Sequence, residues 1–134
     1  MAIDLHDPGP DYLAFWQQRH VCTLTTPRPD GTPHLVPVGA TFDPETRIAR
    51  VIASGPSKKV RNVRAAGPVG ARVALCQFAG AHWATLEGVA TVDGSAEAVA
   101  DAEVRYAERY TRTPRPNPRR VVIRIAVDHA MGRV

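Results

Sequence analysis

The 134 residues carry 17 Lys and Arg against 13 Asp and Glu, for a net charge of +4, and include only two cysteines; that length accommodates one domain spanning residues 1–134 and leaves no room for separate catalytic and cofactor domains. No apolar run approaches the ~18 residues that cross a bilayer. The acidic start Met1-Ala2-Ile3-Asp4-Leu5-His6-Asp7 also lacks the basic-then-apolar order of a secretory leader, so a cytoplasmic protein without a membrane partner is expected.

In chain order, Tyr12, Leu13, Phe15 and Trp16 recur at helical spacing and predict a first helix over residues 10–19, set across a barrel opening. Residues 20–26 are apolar and β-branched, Pro27-Arg28-Pro29-Asp30-Gly31 supplies turn chemistry, and residues 32–42 resume as a strand, which reads as a hairpin. A turn at Asp43-Pro44-Glu45-Thr46 leads to a third strand over 47–54, completing an expected three-stranded meander. After Gly55-Pro56 the period changes: Val60 and Val63 share a face while Lys58, Lys59, Arg61 and Arg64 occupy others, which predicts a helix over 57–66 capped at or just before Ser57. Strands follow over 69–78 and 82–93, with Gly88 marking a bulge or a close backbone approach. Ser95 opens a helix to Tyr110, the proline-rich stretch 113–118 is extended surface chain, and 119–127 is the last strand.

Six or more mostly antiparallel strands with one helix inserted between the third and fourth describe a mainly β fold, a small barrel with peripheral helices. A parallel Rossmann sheet is disfavoured, because the connections are hairpins and no glycine-rich strand-to-helix fingerprint is present.

Chemistry concentrates first at Gly55-Pro56-Ser57-Lys58-Lys59. A helix N-terminus offers free N–H groups and a positive dipole end to an anion; Ser57 would add a hydroxyl and Lys59 a charge, against the plainer reading of an N-cap before a solvated basic helix. The other arginines are scattered, with no zinc-finger, helix-turn-helix or RNP pattern, so no nucleic-acid partner is expected and a small phosphate- or carboxylate-bearing ligand fits better. His34 is either a proton donor or a structural residue beside its turn. Trp83 either fills the core or shapes a pocket for a flat ligand. Arg112, Arg115, Arg119 and Arg120 are either carboxylate clamps, Arg115 and Arg119 above all, or a solvated arm, and Glu87 is expected to pair with Arg50 or Arg72. Cys22 and Cys76 read as small core residues, and no spacing suggests a metal site or a nucleophilic triad.

The order Leu24-Thr25-Thr26, Asp30-Gly31-Thr32-Pro33-His34, Pro37-Val38, Phe42-Asp43, Ser57-Lys58-Lys59-Val60-Arg61-Asn62 and Trp83 to Glu87-Gly88-Val89-Ala90 resembles the flavin and deazaflavin oxidoreductases related to pyridoxamine 5′-phosphate oxidase. Residues 101–110 followed by 115–123 are most similar to the branch of that family that reduces biliverdin with coenzyme F420. The resemblance covers nearly the whole chain. It implies a split β-barrel homodimer with cofactor sites between the subunits, F420 as cofactor with flavin mononucleotide as the alternative, and a small-molecule acceptor such as a tetrapyrrole. A binding protein without turnover is the non-enzymatic alternative. By matching position, the backbone of Leu35, Val36, Pro37 and Val38 and of Val51, Ile52, Ala53 and Ser54 would line ring and tail. Ser57 and Lys59, with Asn62, would hold the phosphate, Gln77 and Trp83 would contribute from neighbouring strands, and Arg115 and Arg119 would take substrate carboxylates. No catalytic residue is assigned, since the cofactor carries the chemistry.

Overall fold

The computed structural model describes residues 1–134. In chain order it contains β1 (Ala2–Ile3), α1 (Pro10–Gln17), β2 (Cys22–Pro27), β3 (Pro33–Val38), β4 (Thr41–Asp43), β5 (Ile48–Ser54), α2 (Lys58–Ala65), β6 (Ala71–Ala79), β7 (His82–Asp93), α3 (Ala96–Tyr110) and β8 (Arg120–Arg133). No helix is long and apolar enough to cross a membrane.

All strand pairs are antiparallel, in the order β3-β2-β6-β7-β8-β5-β4, with β1 added to β8. The two ends of this path, β3 and β4, are separated in sequence only by Gly39 and Ala40. A sheet whose outer strands are joined by two residues has to curl on itself, yet β3 and β4 share no ladder, so the cylinder stays split. The expected mainly β split barrel with peripheral helices is the observed fold, but the expected meander is not. β5 pairs with β8 along its whole length and with β4 only over Ile48 to Arg50.

Inside the barrel, Leu24, Leu75, Leu86, Val51, Ile123 and Ile125 are fully buried, each contributing about 1.5–3 kcal/mol of transfer free energy. α1 adds Tyr12, Phe15 and Trp16 to this core, and α2 adds Val60 and Val63. Cys22 is fully buried, whereas Cys76 is half-buried on the outward face of β6; both are free thiols.

The last strand runs six residues past its expected end. Along β7 and β8 the register slips between Glu87 and Gly88: Glu87 stands opposite His129 and Gly88 opposite Val127, so Asp128 is the extra, bulged residue. A Cβ at Gly88 would lie 2.1 Å from the Ala126 carbonyl oxygen, the close approach that only glycine permits. The bulge turns Asp128 outward onto Arg72, which grips it with both guanidinium nitrogens. This corrects the expected partnership of Glu87. Arg50 pairs instead with Asp101 of α3 at 3.5 Å, and Arg105 bridges Asp101 and Asp43, fastening α3 across β4 and β5.

Candidate functional site

Extending the β4/β5 register backwards would put Val38 opposite Ala53 and Pro37 opposite Ser54, but the chain bends at Gly39 and Ala40 and β3 crosses to β2 instead. Ala40 gives up its place in the ladder to α3. Its N–H donates to Tyr110 Oη at 3.0 Å, and its carbonyl accepts from Arg109 Nη1 at 2.6 Å. The bend opens two facing strand edges. Leu35, Val36, Pro37 and Val38 have a strand partner only in β2, and Val51, Ile52, Ala53 and Ser54 only in β8. Val38, Val51 and Ala53 turn their side chains inward, so these lips offer mainly unpaired backbone groups.

Where the β5 lip ends, the chain turns into α2. Ser57 sits at the N-cap, but its hydroxyl donates back to the Ser54 carbonyl at 2.7 Å and no side chain caps the helix. The first helical bond runs from Arg61 N–H to the Ser57 carbonyl, leaving the amides of Lys58, Lys59 and Val60 pointing out of the helix end. The first turn holds no acid and two lysines, neither in an ion pair. Lys59 is half-buried, and burial alone pushes its pKa below the usual lysine value. Cations at the positive end of a helix dipole, one of them partly desolvated and unpaired, oppose helix formation and await an anion.

The proline-rich segment completes this end. Asn117 Nδ2 donates to Ser54 Oγ at 2.8 Å, the Arg119 carbonyl accepts from Gly55 N–H at 2.8 Å, and Asn117 Oδ1 receives the Arg119 N–H at 2.9 Å. These bonds fix the Arg119 backbone beside the start of α2; its side chain and that of Arg115 are exposed. Arg120 is committed to Glu103 at 2.6 Å.

Two expected contacts turn out to be internal. Asn62 is 2% exposed and spends its Nδ2 on Thr26 Oγ1 at 3.0 Å, pinning α2 to β2. Gln77 is wholly buried, donating to the Phe15 carbonyl at 2.9 Å and accepting from Arg109 Nη2 at 2.6 Å. Strand alternation and helix phase point both side chains inward; Gln77 is fully committed, whereas Asn62 Oδ1 is buried without a partner. Trp83 stands half-exposed on the outer face, opposite Phe78 and away from the lips of its own chain. His34 lies across from Thr26 with an unpartnered, buried Nδ1. Burial first, then the charges of Arg28, Lys58 and Lys59, hold its pKa below the ordinary histidine value.

The sequence reading missed Arg109 and Asn117. Arg109 is 8% exposed with no carboxylate partner; its guanidinium is held by the Gln18 and Ala40 carbonyls, Gln77 and the rings of Trp16 and Tyr110. Its spacing from Ala102 and Tyr106 puts it on the buried face of α3, a signal that was available. Asn117, between two prolines, carried none.

A split antiparallel barrel with an open helix N-terminus beside two bare strand edges is the frame of a protein that binds a phosphate-bearing, flat cofactor. The family model described as pyridoxamine 5′-phosphate oxidase matches residues 9–132, and the chain belongs to that family. It is 52% identical over 122 residues, 91% of this chain and 85% of the relative, to an F420H(2)-dependent biliverdin reductase of Mycobacterium tuberculosis. Among solved structures it resembles one described as an F420 reductase, with 20% identity, a TM-score of 0.71 and coverage of 92% of this chain and 98% of that one. A conserved hypothetical protein of M. tuberculosis superposes with a TM-score of 0.73 at 26% identity, over 92% of this chain and 83% of the other.

Proposed function

We propose that this protein is an F420-dependent reductase whose acceptor is a conjugated, carboxylate-bearing molecule, biliverdin being the first choice. The observation that carries the reading is the uncapped start of α2, with the half-buried, unpaired Lys59 next to the two bare edges of the split. The 52% identity to a biliverdin reductase supplies the cofactor and acceptor. When bound, reduced F420 supplies a hydride to the acceptor.

This chain's residues bind and orient. The amides of Lys58 and Lys59 and the Lys59 ammonium hold the phosphate, the Ser57 hydroxyl joining them by giving up its bond to the Ser54 carbonyl, and Arg119 with Arg115 extends the positive surface over the proline-rich segment. The backbone of Leu35 to Val38 and of Val51 to Ser54 flanks the ring. No side chain is assigned as acid, and the acceptor's proton comes from water.

The working form is a homodimer in the cytoplasm. Support for the dimer lies on the outward face of β3 and β6, where Leu35 and Phe78 are exposed, with Cys76 and Trp83 half-buried on the same side of the sheet. An apolar sheet face of this kind is normally covered. A second copy there would bring its Trp83 towards this chain's split, which gives a tryptophan remote from its own cradle a place in the neighbouring site. Two free cysteines and no disulfide agree with a reducing compartment.

The test is fluorescence titration of the purified protein with oxidised F420 and, separately, flavin mononucleotide, followed by a biliverdin assay with reduced F420. Tight F420 binding with bilin turnover is expected. Preference for flavin mononucleotide would overturn the cofactor assignment, and F420 binding without turnover would make this a carrier.

A further inference from the structure

A second concave surface lies on the other side of the β3 lip. It is a groove of about 590 Å³ between β3 and the C-terminal turn of α3, of the size of small-molecule sites. Tyr106 and Tyr110 form one wall, their rings tilted by 37° with centroids 4.7 Å apart. Tyr106 lies on the bare backbone at the bend, since a Cβ on Gly39 would come within 2.6 Å of its Cε2. Tyr110 is held rigidly, donating to the His20 carbonyl at 2.8 Å and accepting from Ala40 N–H. Arg19 and Arg112 stand at the mouth, Val21 and Pro37 line the remainder, and no carboxylate contributes to the lining. Arg19 Nη1 donates to Thr111 Oγ1 at 3.0 Å; Thr111, at φ 51°, ends α3 in a left-handed turn just before Arg112. Both arginines are exposed and neither is in an ion pair.

We infer that this groove is the acceptor subsite, which takes a flat, conjugated molecule against Tyr106 and Tyr110 and fixes its carboxylates with Arg19 and Arg112. The chemistry is specific to that class. Stacked aromatic faces take up a planar π-system, and guanidinium forks pair with carboxylates in two-point bonds. The groove shares Pro37 and Val38 with the lip assigned to the cofactor ring, so the two surfaces are contiguous. Neither Arg115 nor Arg119 lines this groove, and the Arg119 carbonyl is bonded to Gly55 N–H at the start of α2. The inference rests on the reductase reading for the acceptor's identity, but the groove's ligand preference can be measured without the cofactor.

The experiment titrates cofactor-free protein with biliverdin and with its dimethyl ester, following bilin absorbance, in the wild type and in Arg19→Gln, Arg112→Gln and the double variant. Oxidised F420 is titrated in parallel, and sedimentation and thermal melting are recorded for each. The wild type is expected to bind the diacid about tenfold or more tighter than the ester. The double variant should lose that preference while its F420 affinity, sedimentation and melting stay unchanged. Equal binding of acid and ester by the wild type, or variants that keep the preference, would overturn the inference. So would a double variant that changes oligomeric state, since the groove would then be a contact between copies. Failure of F420 binding with the acid preference intact would sink the reductase reading and leave the subsite standing.

Discussion

Two helices of this protein begin on a serine with nearly the same backbone, Ser57 at φ −64°, ψ 153° and Ser95 at φ −65°, ψ 148°, and they do opposite things. Ser95 Oγ accepts from Ala98 N–H at 3.2 Å, Asp93 Oδ1 takes the Ser95 N–H at 2.9 Å, and Glu97 sits in the first turn. The start of α3 is closed within its own segment. At α2 the Ser54 carbonyl captures the serine hydroxyl, the first turn holds lysines, and the amides stay open. The same cap residue closes one helix and leaves the other open, according to whether its hydroxyl faces the helix or the strand that precedes it.

The sharpest way to break this contrast is Lys59→Ala. It should weaken F420 binding by about 1.5–3 kcal/mol, roughly 10- to 150-fold, by removing one charge-assisted contact, while chemical denaturation shows no loss of stability. Unchanged affinity would mean that the open start of α2 holds no phosphate. A smaller effect separates the two serines. Ser95→Ala should cost about 1 kcal/mol in a urea melt because a working cap is lost, whereas Ser57→Ala should cost only a few tenths, its hydroxyl capping nothing. Equal losses would mean that Ser57 caps α2 in solution.

The smallest expected effect is in pH. Burial lowers the Lys59 pKa from 10.5, so in the window below 10.5 the unfolded chain holds a proton that the folded chain releases, and the stability of the free protein rises with pH there. A bound phosphate favours the ammonium and reverses the sign. F420 affinity should therefore fall a few-fold between about pH 8 and about pH 10, with proton uptake on binding, and Lys59→Gln should flatten the profile. A profile already flat in the wild type would show that the ammonium is not part of the contact.

Much of the element order is legible because it depends on local chemistry. Ser95 and the alanine-rich run after it make α3, the change of period at Val60 and Val63 makes α2, and β7 spans 82–93 as its alternation predicts. The strand end, turn and basic helix start at residues 54–59 were legible for the same reason, as consecutive residues. Legibility failed wherever the answer depends on a distant partner. The expected strand over 32–42 breaks at Gly39 because Arg109 and Tyr110, some seventy residues on, supply the bonds that the ladder loses. β8 outlasts its apolar run because the bulge absorbs Asp128 and lets pairing resume at His129. Asn62 and Gln77 look like ligand contacts in a motif, and only the phase of their elements shows them facing Thr26 and Arg109.

The sequence by itself determined the barrel class, the three helices, the glycine at position 88 and the turn into the basic start of α2, because periodicity, caps and turns act over a few residues at a time. Tertiary structure alone decided the strand order, the split between β3 and β5, the use of Asp128 by Arg72 and the groove under Tyr106. Each of these needs two segments far apart in sequence to meet, and which carbonyl or guanidinium fills a vacant hydrogen-bond site is settled only when the sheet closes around it.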